Sequence, residues 1–126
     1  MRPIPGTPFT VAVEPAETDG HAVVLTVAMP PGLRVDAHTH TDEDQINVVV
    51  SGRVHFRVGN ATYELGAGAV LLMPRHVEHE LWNEGPDVAQ LVEIYTPPGI
   101  EERFAAAGAN GQATAADYAR ERFSRA

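Results

Sequence analysis

The chain has no cysteine, no long apolar run and no excess of basic charge, and each absence removes a class of protein. Without cysteine there is neither a disulfide framework nor a thiolate metal site, so nitrogen and oxygen ligands must hold any metal. No stretch approaches the roughly eighteen apolar residues of a membrane-spanning helix. The opening Met1-Arg2-Pro3-Ile4-Pro5-Gly6 lacks the apolar stretch of a secretory signal, which leads to the expectation of a cytoplasmic protein. Nine basic residues stand against 17 acidic ones, a formal net charge of −8. Nucleic acids and anionic membranes need a basic footprint, so neither is an expected partner. What is present is 126 residues with 44 % hydrophobic content, enough for one domain around one core.

Short apolar runs punctuated by Gly, Pro and Asn recur from Val11 to Tyr95. His21 to Met29 reads as a strand stopped by Pro30-Pro31-Gly32, and Gln45 to Val50 as another, ending at Ser51-Gly52. Arg53 to Val58 alternates polar and apolar residues, then turns at Gly59-Asn60 into Ala61 to Leu65, a hairpin signal. Val70 to Met73, Glu80 to Trp82 and Val88 to Tyr95 complete the set. Strands this short and evenly spaced predict an all-β antiparallel sandwich or barrel. After Thr96-Pro97-Pro98-Gly99 the composition turns helical. One helix is predicted over Ile100 to Ala107, and a second, capped by Thr114, running to about Arg125.

His38-Thr39-His40 is followed after four residues by Gln45, and far downstream by His79. On a strand, residues i and i+2 face one side, so His38 and His40 project together. Two imidazoles so placed can both reach one ion at roughly 2.0–2.2 Å. Thr41 to Asp44 would turn the chain so that Gln45 faces the same way, and a later strand would supply His79. Taken alone, a His-x-His pair is more often an ordinary surface feature.

The longer pattern resembles the cupin family, small β-barrels of the jelly-roll type. Its first motif is matched by Gly32, His38-Thr39-His40, Gln45 and Gly52, and its second by Gly68, Pro74, His79 and Asn83. The resemblance implies a single cupin domain over 1–126, with an N-terminal arm (1–20), a barrel (21–96) and a C-terminal helical segment (97–126). It also implies one divalent transition metal (Fe, Ni, Mn or Zn) on His38, His40, Gln45 and His79. Two positions depart from the pattern. Gln45 stands where the family usually has Glu, and His76 replaces a Gly that histidine can stand in for at positive φ. Cupins similar to those that convert unsaturated sugar acids carry Gln there and still bind metal. Many cupins are homodimers, and Phe9 to Val13 is a candidate for adding to a neighbour's sheet.

Three imidazoles and an amide leave the charge of a divalent ion uncompensated, which favours Lewis-acid chemistry on a small oxygenated molecule. Isomerisation, cyclisation and lyase reactions are the expected classes. A dioxygenase is the alternative, because Pro97 to Phe104 resembles the C-terminal stretch of quercetinase-like cupins. A non-catalytic small-molecule binding module is the third reading. Asn47 shares the face of Gln45 and is expected to orient it or to touch substrate. Glu93, within an apolar strand, and Glu43, near the histidines, are the candidate general acid or base groups. Glu43 is also an alternative ligand. Phe56, Leu72, Leu81 and the rim residue His76 are the candidate pocket lining with Asn47, alongside Val70, Met73 and Trp82. His21 and His55 are expected to be structural or exposed.

Overall fold

The structure, a computed structural model, describes residues 1–109. Ten strands and one helix follow in order: β1 (Arg2–Pro3), β2 (Phe9–Val13), β3 (Val23–Met29), β4 (Arg34–His38), β5 (Asp44–Ser51), β6 (Arg53–Val58), β7 (Ala61–Gly66), β8 (Val70–Met73), β9 (His79–Trp82), β10 (Ala89–Thr96) and α1 (Ile100–Ala109). The strands form two antiparallel sheets, one ordered β1-β2-β3-β10-β5-β8 and the other β4-β9-β6-β7. This is the predicted all-β jelly roll, carrying one of the two predicted helices. The helix predicted from Thr114 falls outside the described residues.

Strand alternation builds the core. β3 buries Val23, Leu25, Val27 and Met29, and β10 buries Leu91 and Tyr95 beside them. From the facing sheet come Val54 and Phe56 of β6 and Leu81 of β9. Each large apolar side chain buried in this way contributes about 1.5–3 kcal/mol. Helix α1 buries Ile100, Phe104 and Ala107, and its Phe104 ring stacks on Phe9 of β2 at 4.3 Å. Strand β2 is itself paired with β3 of the same chain, Phe9 opposite Val27 and Val11 opposite Leu25. The N-terminal segment thus completes its own sheet, correcting the idea that it adds to a neighbour's.

One pocket assignment also needs correction. Leu72 lies opposite Ile46 in the β5–β8 pair and points to the outer face, 54 % exposed. Val70, opposite Val48, is 63 % exposed for the same reason. On this strand Met73 is buried, as the sequence allowed, and Leu71 packs against the core, so the inward parity is the reverse of the one implied by Val70 and Leu72. Four apolar residues in a row carry no alternation from which to read parity.

The β5–β6 turn depends on Gly52, which adopts φ +78°. A Cβ there would lie 2.8 Å from Ala89 Cα and 2.9 Å from the Val88 carbonyl oxygen. Positive φ and backbone crowding act together, so Gly52→Ala is expected to cost about 2 kcal/mol or more in urea unfolding. An unchanged midpoint would refute the assigned backbone.

Candidate metal centre

His38 closes β4 and lies opposite His79, the first residue of β9. The strand predicted to carry both histidines of the His-Thr-His segment stops at His38, after a register irregularity between Val35 and His38. His40, two residues beyond, is fixed by a different contact: its carbonyl accepts the His76 N–H at 2.7 Å. His76 makes that bond from φ +70°, so histidine does occupy the left-handed turn position. Its side chain is exposed.

The three imidazoles converge. Ring centroids are 4.4 Å apart for His38 and His79, 4.9 Å for His38 and His40, and 5.1 Å for His40 and His79. One ligand nitrogen from each lies within 4.8 Å of the others, and all three residues are buried. Burial, helped by the neighbouring His40, pushes the His38 pKa down to about 4. Burial and then the two other histidines hold His79 well below its ordinary value. Both are therefore neutral bases at physiological pH, the form that binds metal. His38 Nδ1 is 2.7 Å from the Asp36 carbonyl oxygen, an acceptor that puts the ring proton on Nδ1 and the lone pair on Nε2.

Gln45 opens the inward face of β5, with Asn47 and Val49 next on that face, all buried. Its Nε2 donates to Asn47 Oδ1 at 2.8 Å, while its Oε1 has no hydrogen-bond partner among the described residues. A buried, unpartnered carbonyl oxygen is costly unless something else takes its lone pairs. An orphaned amide oxygen and a cluster of three imidazoles are donors of the kind that fits a divalent transition metal.

Two carboxylates stand behind these donors. Glu93 lies opposite Asn47 in the β5–β10 pair, fully buried, and accepts the Tyr95 hydroxyl proton at 2.6 Å. Burial pushes the Glu93 pKa up to about 7, against the opposing pull of hydrogen bonds from Tyr95 and Asn47. Tyr95 also packs its ring edge-on against His40, at 5.8 Å. Glu43 is 1 % exposed, with Oε2 3.2 Å from His40 Nδ1 and Oε1 accepting a hydrogen bond from Arg103 of α1. Burial pushes its carboxyl up, but His40 and Arg103 together outweigh this and leave it below its ordinary value. Sequence reasoning missed Arg103. Within Glu101-Glu102-Arg103 it reads as part of a solvated helix face, and only docking of α1 brings it to Glu43.

The remaining candidates are dispersed. Phe56 and Leu81 are in the core, while Trp82 stacks on His55 at 5.4 Å outside it. His21 is exposed. Asn83 is a backbone clamp, donating to the Met29 and Asp87 carbonyls and accepting the Gly85 N–H. A cleft of about 410 Å³ lies between the Asp42–Glu43 turn and the start of α1, with Pro98, Gly99 and Arg103 in its wall.

Comparison with known proteins places this geometry. The profile of the cupin domain matches residues 25–95, more than half of the chain. The chain is a cupin. Among curated proteins it is similar to the polyketide synthase CurC of Streptomyces cyaneus, 30 % identical over 69 residues. That match covers 55 % of this chain and 45 % of the relative, so this cupin spans under half the relative's length. Its fold is similar to that of KdgF from Halomonas, with TM-score 0.66, 19 % identity, and coverage of 75 % of this chain and 81 % of the other. A predicted oxalate decarboxylase of Thermotoga maritima gives TM-score 0.67 and 19 % identity, over 71 % of this chain and 79 % of that one. A double-stranded β-helix protein from Klebsiella pneumoniae gives 0.62 and 26 %, over 77 % and 83 %.

The Glu93 carboxyl has a consequence for stability. Its folded-state pKa of about 7 lies above the ordinary 4.5 of the unfolded chain. Stability held by the protonated group is complete below the unfolded value and is lost as pH rises through about 7. The metal-free protein should therefore lose thermal stability between about pH 5 and pH 8, and Glu93→Gln should flatten that slope. Parallel Tm–pH curves for the two proteins would show that Glu93 carries no such proton.

Proposed function

We propose that this cupin is a metal-dependent enzyme that uses Lewis-acid chemistry on a small oxygenated organic molecule, in an isomerisation, cyclisation or lyase reaction. One observation carries the reading: the Gln45 amide is turned so that Nε2 is spent on Asn47 and the oxygen is left unpaired. On this reading His38, His40, His79 and Gln45 hold one divalent ion, with iron, nickel, manganese and zinc all suited to such N and O donors. Bound there, the ion would polarise a carbonyl, enol or water. The residues of the chain do the rest. His38 and His79, held neutral by burial, take no proton from substrate, and the apolar core behind them keeps bulk water out. Glu93, poised near neutrality, is suited to hold or give up a proton, and Tyr95 and Asn47 are its contacts toward His40 and Gln45.

Elemental analysis of protein purified without added metal is the first test, with about one equivalent of a divalent transition metal expected. Gln45→Ala should lower metal affinity by about tenfold or more. Gln45→Glu should retain the metal while lowering turnover, because a carboxylate donates charge to the ion. Metal-free wild-type protein with intact histidines would overturn the reading. Consumption of O2 with an identified substrate would replace it with a dioxygenase.

A homodimer belongs to the same proposal. The outer face of the larger sheet carries Ile46, Val48 and Val50 of β5, with Val70 and Leu72 on one side and Val92 and Ile94 on the other. Val50, Val70 and Leu72 are more than half exposed. Two copies of a chain with net charge −8 can meet on this uncharged strip without opposing like charges. Light scattering should give a dimer for wild type and a monomer for Leu72→Lys. A wild-type monomer at about 100 µM would refute the dimer, since a specific interface binds more tightly than that.

A further inference from the structure

The three imidazoles are not supported alike. His38 is backed by a backbone carbonyl, through Nδ1 and Asp36. His79 has the Val77 backbone as a neighbour. His40 has a carboxylate behind it, with Glu43 Oε2 at 3.2 Å from Nδ1. That carboxylate does not stand by itself: its other oxygen accepts a hydrogen bond from Arg103, on a helix outside the barrel.

The geometry points to Arg103 as a positioning residue of the metal centre, acting on His40 through Glu43. A buried carboxylate with one oxygen left without a donor would have to turn toward water, and that rotation would release the imidazole. With Arg103 on Oε1, the carboxylate is held in place and Oε2 stays turned to His40 Nδ1. A carboxylate at Nδ1 holds the ring proton there, directs the Nε2 lone pair inward and raises its basicity. Arg103 also moderates that push, because its positive charge balances the negative charge it holds in place. The polar link therefore runs from α1 to the ligand cluster in two steps, Arg103 to Glu43 and Glu43 to His40. Glu43 then serves neither as the general base nor as the alternative ligand expected from its place in the sequence.

The arrangement also explains how a charged pair is tolerated here. Arg103 keeps about a third of its side chain accessible, beside the cleft at the start of α1, so its guanidinium is not stripped of water. Glu43 is enclosed, with 1 % of its side chain exposed. The desolvation cost falls mainly on the carboxylate, which has Arg103 on one oxygen and the His40 imidazole 3.2 Å from the other.

The inference rests on the metal-centre reading, and the test separates the two. Metal-stripped protein is titrated with Co²⁺, followed by its visible absorption and by competition with a coloured chelator. Wild type is expected to bind one equivalent, and Arg103→Ala to bind about tenfold more weakly with an altered visible band. Arg103→Lys should recover part of the loss, since an ammonium can hold Oε1 without the guanidinium fork. Glu43→Ala should weaken binding at least as much, and adding Arg103→Ala to it should cost nothing further. In metal-free protein, the ¹⁵N shifts of His40 should report the Nδ1–H tautomer in wild type and a mixture in both single variants. Equal Co²⁺ affinity and equal ¹⁵N shifts for wild type and Arg103→Ala would overturn the proposal and leave the metal centre standing. So would losses that multiply in the double variant. A wild type that takes up no Co²⁺ would overturn both.

Discussion

Strand parity along Asp44–Ser51 is the constraint on which the rest of this cupin depends. A sheet strand ordinarily turns its apolar side chains inward and its polar ones to water. Here two of the inward positions are Gln45 and Asn47, and the outward ones include Ile46, Val48 and Val50. A slip of one residue would satisfy the hydrophobic pattern better and abolish the site. Register is instead held by partners on both sides. Tyr95 and Glu93 of β10 lie opposite Gln45 and Asn47, and Met73 and Leu71 of β8 flank them on the other edge. The inversion gives the molecule its two unusual surfaces, a polar lining inside the barrel and an aliphatic strip outside it.

An interior so lined must satisfy its polar groups internally, and most of the hydrogen bonds do this in pairs. Gln45 is spent on Asn47, Tyr95 on Glu93 and Glu43 on Arg103. Among the described residues, buried side-chain atoms without a hydrogen bond include the Gln45 oxygen, Asn47 Nδ2, Glu43 Oε2 and both His79 nitrogens, while His55 Nδ1 lies apart from them. Unsatisfied groups scattered through a core signal poor packing, whereas unsatisfied groups that converge signal a missing partner. The burial that makes them costly also keeps His38 and His79 unprotonated, the form in which an imidazole can donate a lone pair.

Much of the fold and the histidine cluster was legible in the sequence because both are written in short-range patterns. Hairpin turns, alternation and motif spacing identified the strands between Val23 and Thr96 other than β4 to within two residues. The inward placement of Gln45 and Asn47 followed from period two alone. Legibility failed where the deciding fact was tertiary. Val70 to Met73 is apolar throughout, so only its pairing with β5 reveals that Leu72 faces out. β4 ends at His38, and His40 is placed by a backbone bond from His76 rather than by alternation. Arg103 is separated from Glu43 by 60 positions, and no local pattern distinguishes it from an arginine on an exposed helix.

These placements bear on how much charge an ion bound on the proposed ligands would retain. In a cupin with the usual glutamate, negative charge sits on the ligand itself. Here the nearby carboxylates are one step removed, Glu43 behind His40 and Glu93 beside Asn47. Distance weakens their effect, since a charge interaction falls inversely with separation and a buried ligand lies between. Neither carboxylate presents a full countercharge. Glu43 is ionised but matched by Arg103, and Glu93 is held by burial near half-protonation at neutral pH. The surroundings of the ligand cluster are therefore close to electrically neutral, despite two buried carboxylates and a chain of net charge −8. A divalent ion in such a site would keep most of its charge for a substrate oxygen, which is the requirement of Lewis-acid catalysis. On the proposed reading the glutamine would supply only part of that, and Arg103 and the burial of Glu93 the remainder.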